Sequence, residues 1–402
     1  MRPRLRRWSA PERSLRESCD MQRLEALTWD HPRGYSALAA AARLQAFAES
    51  GLSIAWDKQP LEGFESHPIA DLCARYDLVV LDHPHVGEAV AGECLRPLEE
   101  VFGAQVIARI EADCIGPSLA SYRFAGSHWA LPLDAATQVM ACRTDLTDGF
   151  TPITWDEVTA LSALTGKVAL SLAGPHAILS FLSIAAAYGE PPAAADPDIL
   201  VSRETGKAVY DLMLDLASRS PLSVREKNPI GILQHMALHD DVILCPLVYG
   251  YVNYAAPEQG RPIAFHNAPR QMTGGRPGST LGGTGIGISR RCPVTPELKR
   301  HLLWLMSPEV QIGFIPSHQG QPSLRAAWQD AGVNARWGRF YENTAETLEA
   351  AYVRPRHNGY IAFQTRASAL LRDAIDTCAS APGIIDQLQT MYREHRVAGG
   401  ER

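Results

Sequence analysis

The chain has 402 residues, too many for one hydrophobic core, so two lobes of ordinary domain size are expected. Apolar residues at 46% and charged residues at 20% describe a packed globular chain, and a net charge of -6 with no basic stripe excludes nucleic acid as a partner. No apolar run approaches the roughly 18 residues that span a bilayer.

The first 20 residues carry six arginines (Arg2, Arg4, Arg6, Arg7, Arg13, Arg16) with no apolar stretch behind them. A secretory signal needs about 7–15 apolar residues at that point. The segment therefore reads as a disordered basic tail, or as sequence upstream of a true start at Met21; the expected location is cytoplasmic, or periplasmic or cell-surface if the start is misplaced. Eight cysteines (Cys19, Cys73, Cys94, Cys114, Cys142, Cys245, Cys292, Cys378) show no C-x-x-C and no metal-ligand spacing. They read as reduced thiols, mostly small buried residues, and no metal or cofactor is expected.

A short strand is expected over 24–29, ending in Asp30-His31-Pro32-Arg33-Gly34, followed by an alanine-rich helix over 35–49. A second strand over 52–56 and a short helix within 68–76 follow. Residues 77–82 (DLVVLD) are an apolar run of strand length between two aspartates, the pattern of a strand covered on both faces. Strands and helices alternating at this spacing give a doubly wound parallel sheet with right-handed crossovers. Ligands collect beyond the carboxyl ends of such strands. Two loops at that edge are built alike, Asp30-His31-Pro32-Arg33 and Asp82-His83-Pro84-His85, each stiffened by a proline. Three imidazoles can hold a divalent ion, but no spacing motif supports one, and a polar cleft wall is the reading taken.

Thr154-Trp155-Asp156-Glu157 starts a helix with acidic residues at its positive end. A strand over 167–172 leads to Ala173-Gly174-Pro175-His176 and a strongly apolar helix over 177–188. Helices over 202–218 and 231–239 precede a strand over 242–247 that contains Cys245, and then a segment rich in tyrosine, 248–254. Gly282, Gly283 and Gly285 lead into a short strand over 286–289. Thr295 caps the next helix with Pro296 as its first residue, and Leu298, Leu302, Leu305 and Met306 give it one buried face. Ser307-Pro308-Glu309 starts a second short helix, and 313–322 is a Pro/Gly loop. After a helix over 345–351, the loop 352–360 presents Arg354 and Arg356, whose planar guanidinium groups suit a carboxylate or phosphate. A helix over 361–375 follows. The Gly-Lys-Ser/Thr ending of a phosphate loop, G-x-S-x-G and H-E-x-x-H are all missing.

The order of glycine-rich turn, edge strand, capped amphipathic helix, second capped helix and loop ending in Pro322-Ser323 resembles the extracellular solute-binding proteins of ABC importers. These are the type 2 periplasmic-binding fold of maltose-binding protein and its relatives. Trp304, Leu305, Ser307, Glu309 and Gln311 fill the helix and tail of that pattern. Gly126, Trp129, Pro132, Arg143, Asp145 and Leu146 match the segment that crosses between lobes, with Ala141-Cys142 in place of the family's Tyr-Asn. The resemblance covers the chain from about Glu25 onward.

It implies an α/β fold of two lobes, each a mostly parallel sheet flanked by helices, with a ligand cleft between them and hinge closure on binding. By family order, lobe one takes 21–138 and 284–318, and lobe two takes 139–283 and 319–402. The implied function is binding of a small polar molecule, a sugar or an organic acid, by a monomer that partners the membrane subunits of an ABC transporter. The ligand-binding candidates are Trp29, Asp30, His31, Arg33, Asp82, His83, His85, Asp134, His176, Tyr249, Tyr251, Asn253, Gly283, Thr284 and Arg356. Trp29, Tyr249 and Tyr251 would offer flat apolar surfaces, and the others would fix polar groups. The alternative is an intracellular enzyme on the same scaffold. Thiaminase I resembles these receptors in fold and uses a cleft cysteine, so Cys245 is the nucleophile of that alternative, with Asp134 or a loop histidine as base.

Overall fold

β1 (Gln22–Trp29) pairs in parallel with β2 (Leu52–Gln59) along its whole length and with β3 (Leu78–Leu81) on its other side. β3 is the core of the DLVVLD run, and its four residues are at most 2% exposed, as a strand with two covered faces requires. These elements belong to a computed structural model that describes residues 22–44, 51–256 and 261–398. The expected tail over 1–20 and the end of the helix expected over 35–49 lie outside the described residues. The described part of that helix, Pro32–Ala42, starts three residues earlier than expected because His31 caps it and Pro32 can occupy its first position.

The glycine-rich segment is longer than its apolar tail suggests. β9 (Leu281–Ile288) runs antiparallel to both β3 and the thirteen-residue β6 (Ala130–Cys142). A two-strand hairpin, β4 (Arg123–Phe124) and β5 (Ser127–His128), leads into β6. Up to Thr137, β6 pairs with β9; from Gln138 it pairs with β7 (Leu244–Tyr249) and, at its end, β8 (Ala264–His266). The strand order is β2-β1-β3-β9-β6-β7, with β8 also on β6, so one buried strand serves both lobes. The sheet is mixed, not purely parallel, because the chain returns to β3 from the far lobe in the opposite direction.

The crossing point is pinned by polar groups. Gln138 Oε1 accepts from Ser183 at 2.6 Å and from the Thr280 hydroxyl at 3.1 Å, and its carbonyl accepts from Ser279 at 2.6 Å. The second lobe has its own apolar core, built by helices His176–Ala187, Arg203–Arg219, Tyr360–Asp376 and Ala381–Ala398.

Local chemistry fixes the helix starts. Thr154 and Glu157 form a capping box at the helix Trp155–Thr165, and Thr295 accepts from the Leu298 amide at the helix Pro296–Leu305. The strand expected over 167–172 is reduced to one bridge, Val168 to Leu244. Helical turns continue through Ser317, so the Pro/Gly loop starts later than position 313.

Gly283 faces a bulge in β6 between Pro132 and Asp134. Its φ is +90°, and a Cβ there would stand 2.3 Å from the Asp134 carbonyl oxygen. Backbone conformation and contact both demand glycine. Gly283→Ala is expected to lower the unfolding free energy by about 2–4 kcal/mol in urea denaturation.

Candidate functional site

The carboxyl ends of β1 and β3, the bulge of β6 and the end of β7 meet between the lobes, where two buried charge clusters stand. The first is centred on Arg33. Its Nε donates to Asp134 Oδ1 at 2.9 Å, Nη2 to Oδ2 at 2.6 Å and Nη1 to the Gly250 carbonyl at 2.9 Å. Both partners of this bidentate pair are at most 4% exposed. The guanidinium carbon lies 5.4 Å from the Trp29 ring centre and 4.8 Å from that of Tyr251, a two-ring cation–π box. His31 stacks on Trp29 at 5.2 Å, and its Nδ1 accepts from the Arg33 amide. Gly34 permits this packing, since a Cβ there would lie 2.0 Å from Trp29 Nε1.

The second cluster is centred on Arg354. Its Nη2 donates to Asp82 Oδ2 at 2.6 Å and to the Leu281 carbonyl at 3.2 Å, and Nη1 donates to Gln364 at 2.9 Å. His83 Nδ1 is 3.1 Å from Asp82 Oδ1. On the facing side, His176 packs edge-on against Tyr249 and sits 3.7 Å from Glu65, too long for a hydrogen bond. Tyr249 reaches the Thr280 hydroxyl at 3.3 Å.

Burial sets the protonation states. Burial, then the charge of Arg33, lowers His31 to about 3; burial, then Arg354, lowers His83 to about 4 and His176 to about 3. Burial raises the Glu65 carboxyl to about 8, with the negative charge of Asp82 adding to it. Burial alone would raise Asp82 too, but Arg354 and His83 outweigh it and hold it well below the usual carboxylate range. The site therefore presents neutral imidazoles, two internally compensated arginines and one carboxyl that holds its proton at neutral pH.

Several buried polar atoms in this region meet no hydrogen-bond partner among the described residues: Trp29 Nε1, His83 Nε2, His176 Nδ1, Asn253 Oδ1, Thr284 Oγ1 and Arg354 Nε. Native interiors carry few such atoms, and each calls for an explanation. Both ring nitrogens of His85 are in the same condition, with Glu88 3.9 Å away.

The sequence candidates divide accordingly. Trp29, His31, Arg33, Asp134 and Tyr251 form the first cluster, and Asp82, His83, His176 and Tyr249 belong to the second. Gly283 and Thr284 lie on β9 beside Asp134. Asp30 turns outward, with 58% of its side chain exposed, and pairs with Lys58. Arg356 spans to the carbonyls of Ala120 and Ser121 at 3.2 and 3.1 Å. The faces of Trp29 and Tyr251, expected to be open surfaces, are covered by Arg33. Cys245 is not in the cleft: it is the second residue of β7, fully buried, and burial pushes its thiol up to about 12, which removes it as a nucleophile. Glu65 and Gln364 went unsuspected, and Arg354 takes the cleft position assigned to Arg356. No spacing distinguishes Glu65 from Glu62 on the same short helix, Leu61–Ser66.

No protein-family model matches this sequence, and no curated protein does. The structure is similar over nearly its whole length to solved solute-binding proteins of ABC transporters. One from Agrobacterium radiobacter K84, in complex with ribitol, superposes with a TM-score of 0.77 at 18% identity, over 94% of this chain and 99% of that one. Maltose-bound MalE3 of T. maritima gives 0.75 at 16% identity, over 92% and 99%. UgpB from Mycobacterium tuberculosis, in complex with glycerophosphocholine, gives 0.75 at 15% identity, over 94% and 99%. At these identities the likeness establishes the two-lobed α/β fold of the maltose-binding type expected from the sequence.

Two stability measurements follow from the clusters. Asp134→Asn leaves Arg33 buried without its counter-charge and is expected to cost about 3–5 kcal/mol in urea unfolding. The pH profile should have two limbs. His31, His83 and His176 titrate near 6.5 when unfolded and at about 3 to 4 when folded, so their stability is present above pH 6.5 and lost as pH falls. Glu65 acts oppositely: folded, it keeps its proton up to about 8, so stability falls as pH rises from about 4.5 to 8. With 21% of its side chain exposed, solvent screens part of this, leaving about 2–4 kcal/mol. Glu65→Gln should abolish the alkaline limb of the urea midpoint measured between pH 4 and 9.

Proposed function

We propose that this chain is a solute-binding protein that closes its two lobes on a small, neutral, polyhydroxylated molecule of the polyol or sugar class. The observation that carries the reading is the set of buried, unpartnered polar atoms between the lobes, on Trp29, His83, His176, Asn253 and Thr284. Donors and acceptors on both sides of a closable cleft are what a molecule with several hydroxyl groups satisfies. Charge supports neutrality over the organic acid that the arginines alone suggest. Arg33 is neutralised by Asp134 and Arg354 by Asp82, so neither guanidinium offers an uncompensated charge to a ligand carboxylate, and the unpartnered Arg354 Nε is left as a single hydrogen-bond donor. The fold neighbours in complex with ribitol, D-mannitol and alpha-D-tagatose support the same class. Within this reading the chain acts as one copy, and its protein partners are the membrane subunits of an ABC importer.

Thr284 gives the test a sign. Its hydroxyl is buried and meets no partner among the described residues, so Thr284→Val should stabilise the solute-free protein by about 1 kcal/mol. If the hydroxyl serves the solute, the same change weakens binding about tenfold. Isothermal titration with ribitol, mannitol, tagatose and maltose measures the binding, and urea unfolding the stability. Failure of all four solutes to bind, or equal affinity for the wild type and Thr284→Val, would overturn the reading.

A further inference from the structure

Behind the second cluster, with Arg354 as the residue common to both, a cavity of about 360 Å³ opens where the loop 352–357 meets both lobes. Phe124 of the β4–β5 hairpin, Pro192, Tyr352, Arg354, Arg356 and Arg396 line it, and no aspartate or glutamate does. The three arginines differ in how their charge is met. Arg354 is compensated by Asp82, and Arg396 pairs with Asp198. Arg356 is half-buried and has no carboxylate within ion-pair distance among the described residues. Its Nη1 donates only to two carbonyl oxygens, Ala120 and Ser121. Burial consequently lowers its proton affinity, and the Tyr352 hydroxyl opposes this without outweighing it. The backbone that presents it is fixed: Pro355 precedes it, and Gly87 packs so closely that a Cβ there would stand 1.8 Å from the Arg356 carbonyl oxygen.

A guanidinium held in place, poorly compensated and facing an acid-free cavity is a receptor for a planar or tetrahedral oxyanion. We propose that this cavity is a second binding site, sharing only Arg354 with the solute cleft, and that it takes a small anion of the phosphate class on Arg356. Because Arg356 already bridges to the hairpin side through Ala120 and Ser121, an anion seated there would contact a residue that joins the lobes. Occupancy would favour the closed arrangement.

The probe is inorganic phosphate, titrated into the full chain against sodium chloride of equal ionic strength, with thermal unfolding and calorimetry as readouts. Phosphate should raise the melting temperature beyond the chloride control. Arg356→Gln should weaken phosphate binding about tenfold or more, and Arg356→Lys, which keeps a charge but loses the fork, should recover part of it. Thr284→Val should keep the full phosphate response. A phosphate effect no larger than that of chloride, one that survives Arg356→Gln, or one lost in Thr284→Val would overturn the second site. None of these outcomes depends on whether a polyol binds in the cleft.

Discussion

A guanidinium taken out of water has to find its counter-charge where it stands, and Arg33 sets that condition at the centre of this molecule. The penalty for desolvating each ion is several kcal/mol, recovered only with good geometry and saturated hydrogen bonds. Asp134 meets both requirements through two parallel bonds, and the Gly250 carbonyl takes a third N–H. Asp134 can do so because β6 bulges between Pro132 and Asp134, and the bulge is possible because Gly283 on β9 adopts a conformation other residues avoid. One ion pair thus links the end of β1, the strand shared by the lobes, the returning strand β9 and the segment after β7.

The same logic separates the two regions of positive charge. In the two clusters, Arg33 and Arg354 each have their own aspartate, His31, His83 and His176 are stripped of charge by burial, and the Glu65 carboxyl holds a proton. What is left to recognise a ligand is hydrogen-bonding capacity and aromatic surface, with little net field. In the neighbouring cavity Arg356 keeps its charge uncompensated by any carboxylate. A neutral hydroxylated molecule and an anion would therefore sort themselves between the two places by desolvation alone, since a charged ligand in the first would find no free counter-charge.

Much of the architecture was legible because it is written locally. The DLVVLD run marks β3 by composition, Thr154 through Glu157 is a capping box in plain sequence, and Thr295-Pro296 announces its helix. That the loops after β1 and β3 lie at one edge was legible because parallel strands deliver their carboxyl ends to the same side. Partner choice inside the site was not, since it is decided by residues far apart in the chain. Asp30 and Arg33 stand three positions apart in one loop, yet one turns out to Lys58 and the other inward to Asp134, 101 residues away. Arg354 and Arg356 look equivalent around one proline, and only the packed structure gives one Asp82 and the other two carbonyls. Cys245 lies away from the cleft for a simpler reason: β7 starts and ends two residues later than its apolar pattern suggests, so the cysteine falls at the buried end of the strand and Tyr249 at the cleft.

The charged contacts that join the lobes also bear on how the molecule opens. Asp82 lies at the end of β3 and Arg354 on the segment leading into the helices of the second core, so separating the lobes breaks their bond. Water would then solvate both ions, and a buried pair returned to water changes free energy little, because Coulombic gain and desolvation cost nearly cancel. The Arg356 bonds to Ala120 and Ser121 exchange for water on the same terms. If the lobes close on a solute as proposed, the solute shifts that equilibrium by its differential affinity for the closed state alone. The apolar cluster that runs from Trp29 and Leu38 through β6 to Tyr251 and Phe340 keeps the lobes in register while those polar contacts exchange.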